Sequence, residues 1–216
     1  MTRAGPDLHL YLVADAGLCG ARGVVATVRA AVAGGATAVQ VREPQATTRE
    51  LCELAAAVHQ ALAGTAVPLI VDDRVDVALA TGAEGVHLGQ SDLPAAAARR
   101  IGGAGLLIGL SVSTLAQVAE ADRLPSGTVD YLGIGPVFVT PTKPLAAPPL
   151  GLALTAGIRR ATALPCVAIG GIGTGNAVEV RATGVDGIAV VSAVCAAPDP
   201  SAVAALLAAS RGTGSR

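Results

Sequence analysis

The feature that most constrains this chain is an alternation repeated eight times. Short, largely apolar runs rich in β-branched residues fall at about residues 8–13, 38–41, 68–72, 85–88, 106–111, 131–134, 166–169 and 187–191. Between and after them lie Ala-rich amphipathic stretches near 23–34, 48–63, 74–82, 93–102, 114–122, 151–162, 175–183 and 200–209. Strands with no polar alternation are the kind buried on both faces of a parallel sheet. The helix-to-strand joints look alike: Gly34-Gly35-Ala36-Thr37, Thr81-Gly82-Ala83-Glu84 and Thr183-Gly184-Val185-Asp186. A Gly just past a helix supplies the left-handed residue that ends it. Eight such units predict a single-domain (β/α)8 TIM barrel near the short end of that fold's range. A doubly wound open sheet is the alternative, weakened because no G-x-G-x-x-G follows the first strand. With no linker in the chain, residues 1–209 read as one barrel domain and 210–216 (SRGTGSR) as a disordered tail.

Composition removes several function classes. Hydrophobic residues make up 52% and charged residues 14%, a globular balance and not a disordered one. With two Tyr, one Phe and no Trp, the core has to be built from Ala, Val, Leu and Ile. A formal net charge of −1 offers nucleic acid no basic field, and the scarce aromatics offer single strands no stacking platform. Gly, Asp or Arg interrupts every apolar stretch before about 18 residues, so no membrane span is expected. The N-terminal MTRAGPDLHLYLVAD reads as a first strand, not a signal peptide. None of Cys19, Cys52, Cys166 and Cys195 forms a C-x-x-C pair, which argues against a zinc knuckle or redox motif. Cys166 and Cys195 read as small core residues, and a reducing, cytoplasmic setting fits.

In a barrel the site lies at the C-terminal ends of the strands, and polar residues collect there. Strand two ends in Gln40-Val41-Arg42, strand three in Asp72-Asp73-Arg74, and strand four leads through His87 and Gln90 to Asp92. Strand five ends in Ser111, strand six leads to Thr140, Thr142 and Lys143, and strand eight runs through Val191 into Ser192. Asp73 and Asp92 follow adjacent strands, so both carboxylates can face the mouth. Two carboxylates with waters and substrate phosphates is how Mg²⁺ is usually held. Capping of the following helix by Asp92, and pairing of Asp73 with Arg74 or Arg42, are equally open on spacing alone. The turn Gly170-Gly171-Ile172-Gly173 opens a helix where barrels commonly bind phosphate. Gln40 and Arg42 share a strand face. An Arg there needs an anion, and Asp72 is the alternative partner. His9 and His59 lack polar company, while His87 reads as a hydrogen-bonded strand-end residue and not a base. The only lysine among fifteen Lys and Arg, Lys143, stands in a Pro-rich loop.

Together, VPLIVDDRVDVALATGAEGVHLGQSDLP, IGLSVST, DYLGIGPVFVTPTKPLAAPPLGL, VAIGGIGTGNA and GIAVVSAV resemble the thiamine-phosphate synthase (pyrophosphorylase) family over about residues 8–195. The H-x-G-Q-x-D and T-P-T-K segments are specific in combination. IGGI alone occurs in many phosphate-binding barrels. The resemblance implies an enzyme that joins hydroxymethylpyrimidine diphosphate to a thiazole phosphate with Mg²⁺, releasing pyrophosphate. It places the metal carboxylates at Asp73 and Asp92. The pyrimidine diphosphate contacts fall at Gln40, Arg42, Asp72, Ser111 and Lys143, of which Arg42, Ser111 and Lys143 act in catalysis. The thiazole phosphate contacts fall at Thr140, Thr142, Gly171, Val191 and Ser192. Its partners are small phosphorylated substrates, and the family's frequent dimers leave a homo-oligomer open.

Two positions depart from the family pattern. Pro44 stands where a Lys is usual, and Asp72 where an Asn is usual, so the mouth is more negative by two charges. Weaker diphosphate binding is expected. The other readings are a thiazole tautomerase-like barrel and a non-catalytic phosphate-ligand-binding barrel. The tautomerase pattern has a His soon after the strand-five Ser, whereas Ser111-Val112-Ser113 has none.

Overall fold

The computed structural model describes residues 5–140 and 148–210. Its strands are Leu10–Asp15 (β1), Ala38–Arg42 (β2), Leu69–Asp72 (β3), Gly85–Leu88 (β4), Leu107–Val112 (β5), Tyr131–Ile134 (β6), Cys166–Ile169 (β7) and Gly187–Val190 (β8). They pair in chain order, all parallel, and β8 closes on β1 through Leu10 opposite Ile188. The alternation is thus a closed (β/α)8 barrel and not an open sheet. The helices are Ala16–Cys19 (α1), Val24–Ala33 (α2), Thr48–Leu62 (α3), Val75–Thr81 (α4), Ala95–Gly102 (α5), Leu115–Asp122 (α6), Gly151–Arg160 (α7), Ala177–Arg181 (α8), Ser192–Cys195 (α9) and Pro200–Ala209 (α10). Local chemistry starts several of them. Thr47 with Glu50 forms a capping box on α3, Thr114 with Gln117 does so on α6, and Asp199 caps α10 ahead of Pro200. The pattern does not predict α1 or α9, because one four-residue turn is too short to show a helical period.

Strand side chains alternate between two cores. On β1, Leu10, Leu12 and Ala14 join the layer shared with the helices, while Tyr11 and Val13 join the cluster inside the barrel. The inner cluster is built around Tyr11, Ile70, Leu107, Tyr131 and Val167. Glycine makes room for the large members: a Cβ on Gly109 would lie 2.2 Å from Tyr131 Cζ, and one on Gly85 would lie 2.8 Å from Ile70 Cδ1.

A device used four times holds the N-terminal end of the barrel. The residue just before each even-numbered strand accepts an N–H near the start of the strand before it. Thr37 accepts from Leu10 at 3.0 Å, Glu84 from Leu69 at 2.7 Å, Asp130 from Ile108 at 2.7 Å and Asp186 from Cys166 at 2.8 Å. Each acid also meets a basic side chain from the helix preceding the odd strand: His59 at 3.2 Å, Arg99 at 2.7 Å and Arg159 at 3.1 Å. Residues at this face of a barrel serve stability.

His9 and His59 therefore do have polar company, supplied by residues distant in sequence. His59 bonds Thr81 O and Glu84, while His9 Nε2 bonds Ala208 O at 2.8 Å and Nδ1 faces Arg181 at 3.3 Å. Arg181, only 8% exposed, also donates to Leu207 O and Ser210 Oγ at the end of α10. Ser210, the first residue of the expected tail, is thus the hydrogen-bonded cap of α10, and 211–216 lie outside the described residues. Among the described residues no single helix is long and apolar enough to cross a membrane.

Candidate active site

A cavity of about 490 Å³ opens at the C-terminal ends of the strands. Gln40, Arg42, Asp72, Asp73, Asp92 and Ser111 all line it, as do Thr140, Gly171, Val191 and Ser192. Thr142 and Lys143 lie outside the described residues.

Arg42 ends β2 and turns into the mouth between two acids. Its Nε lies 3.2 Å from Asp72 Oδ2, and Nη1 lies 3.6 Å from Asp15 Oδ2. The acid weighed as its alternative partner is in place, and Asp15, which the sequence does not single out, is the second. Asp15 also caps α1 by accepting from Leu18 N–H at 3.1 Å. Arg74 turns away from this group to Asp76 and Thr48.

Asp73 sits at φ 57°, the only non-glycine residue at positive φ among those described. Asp and Asn tolerate that region better than other side chains do. The turn is pinned by Asp73 N–H donating to His87 O at 2.8 Å, which ties it to β4. Asp92 Oδ2 accepts the N–H of Gly89 at 2.8 Å, folding the loop after β4 into a tight turn. A Cβ on Gly89 would stand 2.8 Å from Asp92 Oδ2, so a side chain there would push the carboxylate out of this turn. Helix α5 takes no side-chain cap, so capping does not explain Asp92. Among the described residues, no three or more His, Cys, Asp or Glu gather where they could hold a metal. The two cavity carboxylates therefore fit a hard cation only when water and a bound phosphate complete its shell, the usual way with Mg²⁺.

On the far side, Gly170 and Gly171 have φ of 108° and 66°. A Cβ on Gly170 would lie 2.6 Å from Pro136, and one on Gly171 would lie 2.8 Å from Phe138 Cβ, so the β6 loop packs directly on this turn. The helix expected to open here, α8, starts only at Ala177, because Asn176 ties the turn back on itself. Asn176 accepts from Gly173 N–H at 2.9 Å and donates to Gly171 O at 2.9 Å. The short α9 begins at Ser192 on the cavity wall.

The floor holds a group that sequence reasoning missed. Gln40 Nε2 donates to Tyr11 OH at 2.9 Å, and the Tyr11 and Tyr131 hydroxyls are 2.9 Å apart. Tyr131 OH lies 3.1 Å from His87 Nδ1, and His87 Nε2 lies 2.9 Å from Ser111 Oγ. Both phenols are wholly buried, and desolvation pushes their pKa well above the ordinary tyrosine value. The available signal was that both tyrosines of the chain fall on strands in a core otherwise short of aromatics, and a buried phenol needs a partner.

The thiamine monophosphate synthase family model matches residues 10–194. The thiamine-phosphate synthase of Albidiferax ferrireducens is 54% identical over 199 residues, covering 92% of this chain and 89% of that protein. That of Chloroflexus aurantiacus is 51% identical over 198 residues, covering 92% and 90%. The solved thiamine phosphate pyrophosphorylase from Pyrococcus furiosus superposes with a TM-score of 0.84 at 42% identity, covering 94% of each chain.

Proposed function

The chain belongs to the thiamine monophosphate synthase family, and on that premise we propose that Asp73, Asp92, Arg42 and Ser111 drive departure of pyrophosphate from a hydroxymethylpyrimidine diphosphate while the opposite wall holds a thiazole phosphate. The observation that carries this is that those four residues share one cavity lining with Gly171, Val191, Ser192 and Thr140. In this reading the bond between the pyrimidine methylene carbon and the diphosphate oxygen breaks first. Its electron pair leaves with pyrophosphate, and the electron-rich aminopyrimidine spreads the positive charge. The thiazole nitrogen then donates its lone pair to that carbon, completing thiamine phosphate.

No proton has to be taken from carbon, so no strong base is needed. The protein's task is to stabilise growing negative charge and to align the nucleophile. Arg42 and the Ser111 hydroxyl donate to the diphosphate, and Gln40 stands beside them at the cavity floor. Lys143, which lies outside the described residues, would bring a positive charge to the leaving group. Asp73 and Asp92 would hold Mg²⁺, which supplies charge neutralisation at the diphosphate oxygens. A cytoplasmic setting belongs to the same reading, supported by Cys19, Cys166 and Cys195 packed in the interior as thiols.

A thiochrome fluorescence assay with both phosphorylated precursors tests the reading, with Mg²⁺ and then with EDTA. Mg²⁺-dependent product that is lost in Lys143→Ala and Asp73→Asn is expected. Binding of a precursor without turnover would move the reading to the tautomerase-like or phosphate-binding barrel. Unchanged turnover in Lys143→Ala would remove that residue's role.

A further inference from the structure

We propose that the chain Gln40–Tyr11–Tyr131–His87–Ser111 runs in one direction, holding His87 as its Nε2–H tautomer and leaving the Ser111 hydroxyl hydrogen for the cavity. Tyr131 and His87 are then positioning residues for Ser111. The direction follows from counting hydrogens. The Gln40 amide nitrogen can only donate, and it donates to Tyr11 O at 2.9 Å. Tyr11 is buried and owns one hydrogen, which passes to Tyr131 O at 2.9 Å. Tyr131, having accepted, gives its own hydrogen to His87 Nδ1 at 3.1 Å. A ring nitrogen that accepts carries no hydrogen, so the neutral imidazole keeps its proton on Nε2 and donates it to Ser111 Oγ at 2.9 Å. Ser111 lines the cavity, and its remaining hydrogen has the cavity to point into. Run the other way, the chain would leave the buried Tyr11 hydrogen without an acceptor.

The barrel is shaped for this arrangement. Gly133 and Gly109 flank the imidazole: a Cβ would stand 2.9 Å from His87 Cε1 at the first and 2.4 Å from His87 Nδ1 at the second. Burial keeps both phenols protonated, so the hydrogens that set the direction are present. The polarity is opposite to that of a serine nucleophile with its base, because His87 Nε2–H donates a hydrogen bond to Ser111 Oγ and has no free lone pair there to take the serine's proton. Under the proposed function, Ser111 is a preset donor to the departing diphosphate oxygen.

Long-range ¹⁵N–¹H NMR of the intact protein reads the tautomer directly, since the chain has three histidines. His87 is assigned by the resonances lost in His87→Gln. The expected spectrum shows an unprotonated Nδ1 and a protonated Nε2. Tyr131→Phe should lower the Nε2–H share and reduce kcat roughly tenfold, less than outright loss of an oxyanion donor, with KM nearly unchanged. Tyr11→Phe should leave the tautomer intact, because Tyr131 still donates to Nδ1. A wild-type spectrum with the hydrogen on Nδ1 would overturn the proposal, and it settles the matter even if Tyr131→Phe does not fold. So would a kcat loss in Tyr131→Phe with no change in tautomer. The spectrum needs no substrate. A protein with the expected tautomer and no product would sink the proposed function and leave the directed chain standing.

Discussion

Arg42 Nε lies 3.2 Å from Asp72 Oδ2, so the guanidinium that faces the cavity already has a carboxylate partner before any anion arrives. An incoming diphosphate has to compete with that acid, and with Asp15 at 3.6 Å. The side chains of Arg42 and Asp72 are only 21% and 17% exposed, so solvent screens the pair little and its coupling is about 1 kcal/mol, the upper end of the range for exposed pairs. Asp72→Asn should lower KM for the pyrimidine diphosphate roughly three- to fivefold. Adding Pro44→Lys, which places a cation two residues beyond Arg42, should lower it further. Steady-state kinetics at fixed Mg²⁺ check this. An unchanged KM in the double variant would show that Asp72 does not compete with the substrate for Arg42.

Two glycines should respond in opposite directions. A Cβ at Gly109 would fall 2.2 Å from Tyr131 Cζ and 2.4 Å from His87 Nδ1, against a tyrosine ring that is wholly buried inside the barrel. Gly109→Ala should cost about 1–3 kcal/mol or more by overpacking. Gly157 lies within α7 with no atom within 4 Å of an added Cβ. Gly157→Ala should stabilise by about 0.5–1 kcal/mol through helix propensity and a less flexible unfolded chain. Denaturant midpoints of the two variants and the parent give both signs in one experiment.

The architecture was legible because the strands are short, largely apolar runs, most with Gly, Asp or Pro near an end. The runs at 85–88, 131–134 and 166–169 match Gly85–Leu88, Tyr131–Ile134 and Cys166–Ile169. Once the strands were placed, Gln40, Arg42, Asp73 and Ser111 followed, because a barrel puts its site where strands end. The joints were also visible, and Gly82 does adopt φ 72° after α4. Their last residues, Thr37, Glu84 and Asp186, were in view, yet their acceptors' role was not, since it depends on the neighbouring strand. The Tyr11–Tyr131 bond was hidden for the same reason, with 120 residues between partners. No local period encodes a contact that only barrel closure creates.

The two buried phenols should limit alkaline stability. Desolvation raises both pKa values above the ordinary 10, which the unfolded chain retains. The folded state then holds protons that the unfolded state releases. The contribution is fully present below about pH 10 and is lost as pH rises above it, by about 1.4 kcal/mol per pH unit for each phenol. Tyrosinate absorbance should therefore appear only as far-UV dichroism collapses, and the two curves should coincide. The chain has no Trp to obscure the signal. Tyrosinate forming in a protein that keeps its dichroism would mean that the phenols are accessible.

The last prediction separates the two ends of the barrel. Asp130 Oδ2 accepts from Ile108 N–H at 2.7 Å and from Arg99 at 2.7 Å, at the end opposite the cavity. Replacing Asp130 by Ala leaves the Ile108 N–H without this acceptor and Arg99 without its carboxylate. Arg99 would keep its bonds to Gly103 O and Leu106 O, and its side chain is 16% exposed, so part of the loss is recovered. A cost of roughly 2–3 kcal/mol is expected. Because none of these groups lines the cavity, kcat and KM should stay near the parent values well below the melting temperature. The converse holds for Ser111→Ala, which touches no clamp and should lower kcat with little change in melting temperature. Thermal melts and kinetics on the two variants give four numbers. If Asp130→Ala lowered kcat in proportion to its stability loss, the clamps would be coupled to the mouth through the strands, and the division of the barrel into a stabilising end and a working end would fail.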